Sequence, residues 1–130
     1  MVSAKGGGLK MMKDNIYAEN FKIGIDPNAS KFYEIYIPNK FNILLRMIRL
    51  RLKCKKTQAT PFDFRVQNRG ANIDICHFMI FFVSQSEIEI NLNPGQSIAA
   101  NSSLQFEFRN LNSYSTRALV QIAGLENGRA

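Results

Sequence analysis

The sequence predicts an all-β chain: an eight-stranded antiparallel β-sandwich, jelly-roll or Greek-key like, behind a flexible N-terminal arm. Three observations predict it. Apolar and polar residues alternate in short runs, and clusters of Asn, Pro, Gly and Ser interrupt those runs at roughly 8 to 12 residue spacing. The ten Phe and four Tyr, with no Trp, favour strands. A chain of 130 residues, 45% hydrophobic and 21% charged, is expected to form one domain around its own core.

The arm is residues 1–14. It holds Gly6, Gly7 and Gly8 among Lys5, Lys10 and Lys13 and has no period, so it is expected to be flexible in an isolated subunit. Leu9, Met11 and Met12 are its candidate anchors on a neighbouring subunit. The sandwich is expected over 15–124, with a frayed tail at 125–130.

The first run, 16–25, alternates loosely and stops at Asp26-Pro27-Asn28, where Pro fixes the turn backbone. In the second, Tyr33, Ile35 and Ile37 share a face before Pro38 ends the ladder. The third, 41–55, changes phase: Ile43, Leu45 and Met47 are apolar on odd positions, Ile48, Leu50 and Leu52 on even ones. A β-bulge at Met47-Ile48 accounts for the switch. Two-sided burial of the first half is the alternative and would place Arg46 in an interface.

In the fourth run Phe62, Phe64 and Val66 face inward against Asp63, Arg65 and Gln67, and residues 68–72 form a loop. The fifth, 73–83, is apolar on both parities, so it is expected to be covered on both faces. Its second face, Cys76, Phe78, Ile80 and Phe82, is therefore the expected oligomer interface. The sixth, 87–93, alternates cleanly, and Pro94-Gly95-Gln96 is expected to turn the chain. Leu104, Phe106 and Phe108 mark the seventh strand and Ala118, Val120 and Ile122 the eighth, separated by the Asn/Ser cluster 110–115.

Charge is concentrated in one place. The chain carries 17 basic and 10 acidic residues, and six of the bases (Arg46, Arg49, Arg51, Lys53, Lys55 and Lys56) fall in the third run, leaving the rest nearly neutral. Arg49, Arg51, Lys53 and Lys55 would line one strand face for about 20 Å. Three uses compete: a charged interface with a subunit or partner protein, a solvated edge paired with Glu34, Glu87, Glu89 or Glu107, and contact with nucleic acid. The last lacks the interleaved aromatics of single-strand-binding sheets.

Catalytic and metal chemistry find no foothold. One His and two Cys do not make a metal site, and Cys76 and His77, being adjacent in a strand, point to opposite faces. Glu87 and Glu89 share a face about 7 Å apart, but a Glu-x-Glu strand reads as solvated surface. The Gly6 to Gly8 run lacks the Lys-Ser/Thr ending of a phosphate loop. Cys54 and Cys76 read as buried free thiols of a reducing compartment, with a bridge between strands as the alternative. No signal-peptide core and no run of about 18 apolar residues occurs, so neither secretion nor a membrane partner is expected. No cofactor and no enzymatic activity are expected.

The stretch INLNPGQSIAANSSLQFEFRNLN, residues 90–112, followed by TRALVQIAG, resembles the C-terminal half of small jelly-roll virion proteins of tailed bacteriophages, such as head decoration and tail or collar components. The resemblance implies a non-enzymatic building block of a virion assembled in the host cytoplasm, with copies of itself and other virion proteins as partners. A carbohydrate- or receptor-binding sandwich, for which Tyr114 is the candidate contact, is the second reading. A nucleic-acid-binding protein using residues 46–56 is the third.

Overall fold

The computed structural model describes residues 16–38 and 40–129, with side chains through Glu126. Eight strands follow in order: β1 (Ile16–Ile25), β2 (Ser30–Tyr36), β3 (Phe41–Cys54), β4 (Thr60–Asn68), β5 (Ile73–Phe82), β6 (Gln85–Ile98), β7 (Ser103–Asn110) and β8 (Thr116–Arg129). They form two four-stranded antiparallel sheets, ordered β1-β8-β3-β6 and β2-β7-β4-β5. The pairs β1·β8, β2·β7, β3·β6 and β4·β5 are those of one long hairpin, which the added pairs β3·β8 and β4·β7 roll into a jelly roll.

Every connection crosses between sheets except the β4–β5 hairpin. The β1–β2, β3–β4, β5–β6 and β7–β8 loops therefore meet at one end, where Asn28 N donates to Asn112 O and Cys54 N to Ser84 O. At the other end Ile37 N donates to Ser102 O and Arg69 N to Ser103 O.

The core fills from both inner faces. Phe62, Phe64, Phe106 and Phe108 are fully buried on one sheet, facing Ile48, Leu50, Leu52 and Val120 on the other. Each fully buried side chain of this size contributes roughly 1.5 to 3 kcal/mol. Phe21 of β1 stacks on Tyr33 of β2, ring centroids 3.8 Å apart, and closes the edge between the sheets.

The phase change in β3 is a bulge, one step earlier than the sequence suggests. The register shifts between Leu45 and Met47 against both β6 and β8, which leaves Arg46 as the extra, exposed residue. Ile43 and Leu45 before it, and Ile48, Leu50 and Leu52 after it, are all buried. The two-sided alternative falls: Arg46 lies in no buried interface within the chain.

Three further expectations are corrected. Pro94-Gly95 does not reverse the chain; β6 continues to Ile98, and residues 92–95 form an excursion opposite Arg46, because Leu45 pairs with Gln96 and Met47 with Asn91. Residues 125–129 are not frayed but extend β8, with Leu125 paired to both Ile16 and Leu44. The parity of β5 is the reverse of that expected. Phe78, Ile80 and Cys76 pair with Phe64, Phe62 and Val66 and so point into the sandwich, where Ile80 and Phe82 are buried. The exposed hydrophobic residues are Ile73, Met79, Phe81 and, just past the strand, Val83. The arm and its anchors Leu9, Met11 and Met12 lie outside the described residues.

Candidate functional site

Three surfaces carry functional groups. On the outer face of β1-β8-β3-β6, the arginines of β3 meet the glutamates of β6. Arg49 Nη2 lies 2.7 Å from Glu89 Oε1, Arg51 Nε 2.8 Å from Glu87 Oε1, and Arg49 Nε 3.6 Å from Glu87 Oε2. Register sets this ladder, because Arg49 faces Glu89 and Arg51 faces Glu87 across β3·β6. The hydrogen bond from Arg49 holds the Glu89 carboxyl below its usual range and raises the guanidinium in return. Glu87 and Glu89 are thereby occupied as ion-pair partners of arginine.

Beyond this ladder the compensation stops. Lys53 faces Gln85 on β6 and Arg117 on β8, and neither Lys53 nor Arg117 has an ion-pair partner among the described residues. Lys55 is exposed, and the Lys56 ammonium stands 5.3 Å from the centroid of the Tyr114 ring. The six bases of the basic run are thus split: Arg46 at the bulge, Arg49 and Arg51 neutralised, Lys53, Lys55 and Lys56 at the loop end.

The loop end is built on a polar knot that the sequence shows only as an Asn/Ser turn. Asn110 Nδ2 donates to the carbonyls of Ile25, Asp26 and Tyr114, and Asn110 Oδ1 accepts from the Asn112 backbone and side-chain amides. Asn112 Oδ1 accepts from Tyr114 N at 2.7 Å. Asn110, Asn112 and Thr116 are all buried, so the knot fixes the loop that presents Tyr114.

The outer face of β2-β7-β4-β5 carries a second network. Arg65 Nε lies 3.0 Å from Asp74 and its Nη1 3.6 Å from Glu107, while Asp63, nearly buried, takes His77 Nε2 at 3.1 Å and Arg109 Nη1 at 3.7 Å. Hydrogen bonds from Arg65 and Gln67 keep the Asp74 carboxyl below its usual range. Glu34 accepts from Ser103 Oγ. Phe32 and Tyr36 flank Glu34 on β2, exposed by 57% and 64%.

The third surface is the β5 edge. Met79, Phe81 and Val83 are exposed by 47%, 68% and 51%. The inward thiol of Cys76 is pushed up to about 11 by burial, and both cysteines are free, Cys54 lying near Asn112 Oδ1. No group of three metal-ligating side chains occurs among the described residues, and none of their helices is long and apolar enough to cross a membrane.

No protein-family model and no curated protein matches the chain. Solved structures share its architecture. One is a chain of Bacillus endospore appendages, described as a novel family of disulfide-linked pili: 7% identity, 96% of this chain and 100% of that one, TM-score 0.51. Another is CBM28, a carbohydrate-binding module specific for non-crystalline cellulose: 10% identity, 83% and 73%, TM-score 0.51. A third is FlhE: 6% identity, 89% and 100%, TM-score 0.50. At these identities the likeness establishes the fold, a jelly-roll β-sandwich.

Proposed function

We propose that the chain is a non-enzymatic assembly subunit that joins copies of itself through the edge of β5. The observation that carries this is how unprotected that edge is. Sheet edges in monomeric proteins bear charges, prolines or bulges that refuse a further strand. Among the four edge strands, β1 carries Glu19 and Lys22, β2 carries Lys31 and Glu34, and β6 carries Glu87, Glu89 and Pro94. β5, ten residues long, has Asp74, a register shift at Ile75 and His77 near its start, and then an unprotected Phe-Met-Ile-Phe-Phe.

A second copy pairing β5 with β5 would satisfy the open backbone groups and set Met79, Phe81 and Val83 of the two copies side by side, shielding part of each from water. The pilus chain among the fold neighbours, an assembled protein of the same architecture, supports this reading. Within it, a virion component of a tailed bacteriophage, on head or tail, is the specific role we adopt from the resemblance of residues 90–112. The test is mass in solution. The chain should sediment as a species larger than 14.8 kDa, and Met79→Lys with Phe81→Lys should give a folded monomer. A wild-type chain that is monomeric at every concentration overturns the proposal.

A second reading is favoured by one observation, the exposed Phe32 and Tyr36 beside the Glu34, Glu107 and Arg65 network. Aromatic faces next to planar hydrogen-bonding groups suit sugar rings, and CBM28 shares the architecture. A glycan array on which Phe32→Ala with Tyr36→Ala abolishes the hits would support it, and an array without hits would remove it.

A further inference from the structure

We propose that the loop end of the β1-β8-β3-β6 sheet binds the phosphate backbone of single-stranded nucleic acid through Lys22, Lys53, Lys55, Lys56 and Arg117, with Tyr114 as the stacking surface. This site is separate from the β5 edge and does not depend on it.

One pair of like charges on this sheet is uncompensated. Arg117 and Lys53 are direct cross-strand neighbours on β8 and β3. Like charges so placed repel, at a distance where opposite charges would attract. Two residues further along the same strands, the chain supplies Glu87 to Arg51; at this row β6 offers Gln85 instead. On the β1 side Arg117 faces Gly24, whose missing side chain leaves open space, and Lys22 follows diagonally. An anion bridging these cations would replace the repulsion with charge-assisted hydrogen bonds.

Shape and an aromatic suit this surface to a strand as well as to a single anion. A groove of about 760 Å³ runs over Lys22, Arg51, Lys53, Glu87 and Arg117, with Glu87 held by Arg51 and the other bases in excess. A second, of about 810 Å³, runs over Lys53, Lys55, Tyr114 and Arg117. They share Lys53, Gln85 and Arg117, so they form one basic trough ending at Tyr114. The basic strand itself has no aromatic among its charges. The fold supplies one from the β7–β8 loop, Tyr114, which is 46% exposed with the Lys56 ammonium beside its ring. A basic groove leading to an aromatic face is the arrangement that binds single strands without sequence preference.

The test is titration of a fluorescent 20-nucleotide oligodeoxythymidylate, with inorganic polyphosphate and heparin as comparison polyanions. Engagement of four phosphates gives a slope of about −3 for log affinity against log salt. Lys53→Gln with Arg117→Gln should weaken oligonucleotide binding at least tenfold, and Arg46→Gln, at the bulge, should change it less than twofold. Tyr114→Ala should weaken oligonucleotide binding about fivefold while leaving polyphosphate unchanged, since only the former has bases to stack. No binding at low salt, equal loss in Arg46→Gln, heparin binding without oligonucleotide binding, or an unchanged affinity in Tyr114→Ala would each overturn the assignment. These side chains are exposed or half-buried, and an unchanged thermal midpoint confirms that each variant is folded.

Discussion

Arg49 on β3 donates through Nε and Nη2 to a single carboxylate oxygen of Glu89 on β6, at 3.2 and 2.7 Å. That contact converts half of a basic strand into a neutral ladder and leaves the other half, from Lys53 onward, as the charged feature of the surface.

The ladder makes stability depend on acid. Glu89 binds its proton less readily in the folded chain than the ordinary value of 4.5 implies, and Asp74 less readily than its 3.8. The unfolded state therefore takes up protons first as pH falls. Stability from both groups is complete above those ordinary values and is lost as pH drops through the lower folded ones. Urea midpoints should fall as pH drops from 5 to 3, and Glu89→Gln should flatten the slope. An identical slope in the variant would show that the ladder is not coupled to folding.

The two faces of β5 should respond oppositely to charge. Phe78→Asp with Phe82→Asp puts carboxylates among Phe64 and Ile80 without partners. Losing each Phe alone costs about 3 to 5 kcal/mol, so the pair should abolish folding. Met79→Lys with Phe81→Lys should keep the far-ultraviolet circular dichroism of the parent. Similar behaviour of both pairs would contradict the assigned parity.

Removing the Asn110 side chain takes the donor from three carbonyls of the loop end. Asn110→Ala should destabilise the fold by roughly 1 to 3 kcal/mol, because the Ile25 carbonyl left behind is buried and those of Asp26 and Tyr114 are partly so. Chemical denaturation reads this directly, and Asn110→Asp, which keeps the acceptor but loses the donating amide, should recover little.

Gly124 passes so close to β3 that a Cβ there would meet the Leu44 carbonyl oxygen. Gly124→Ala should therefore cost about 1 to 3 kcal/mol by forcing β8 away from the bulge, seen as a lower thermal midpoint. An unchanged midpoint would mean that the two strands separate freely there.

Legibility followed the number of buried faces. Phe62, Phe64 and Val66, like Leu104, Phe106 and Phe108, alternate with polar residues, so their inward face is written in the sequence. β5 is apolar on both parities, and only its pairing with β4 decides which one enters the core. The Pro94-Gly95 pair has the local chemistry of a reversal, yet a bent partner strand absorbs it as an excursion within β6. Arg49 and Arg51 had visible acidic candidates, and register alone chose Glu89 and Glu87 among them. The loop-end site was hidden because its members are distant in the chain: Asn110 reaches Ile25 across 85 positions, and Lys56 meets Tyr114 only when the β3–β4 and β7–β8 loops come together. The concentration of bases in 46–56 and the tyrosine of the Asn/Ser cluster were visible separately, and nothing in the sequence joins them.

If a second copy completes the β5 edge, hydrogen exchange of its backbone amides depends on protein concentration. Exchange followed by mass spectrometry from low to high protein concentration should slow selectively in residues 76–83, with β1 and β6, the edges of the other sheet, unchanged. Exchange in 76–83 that is fast and independent of concentration would mean that no second copy pairs with this edge.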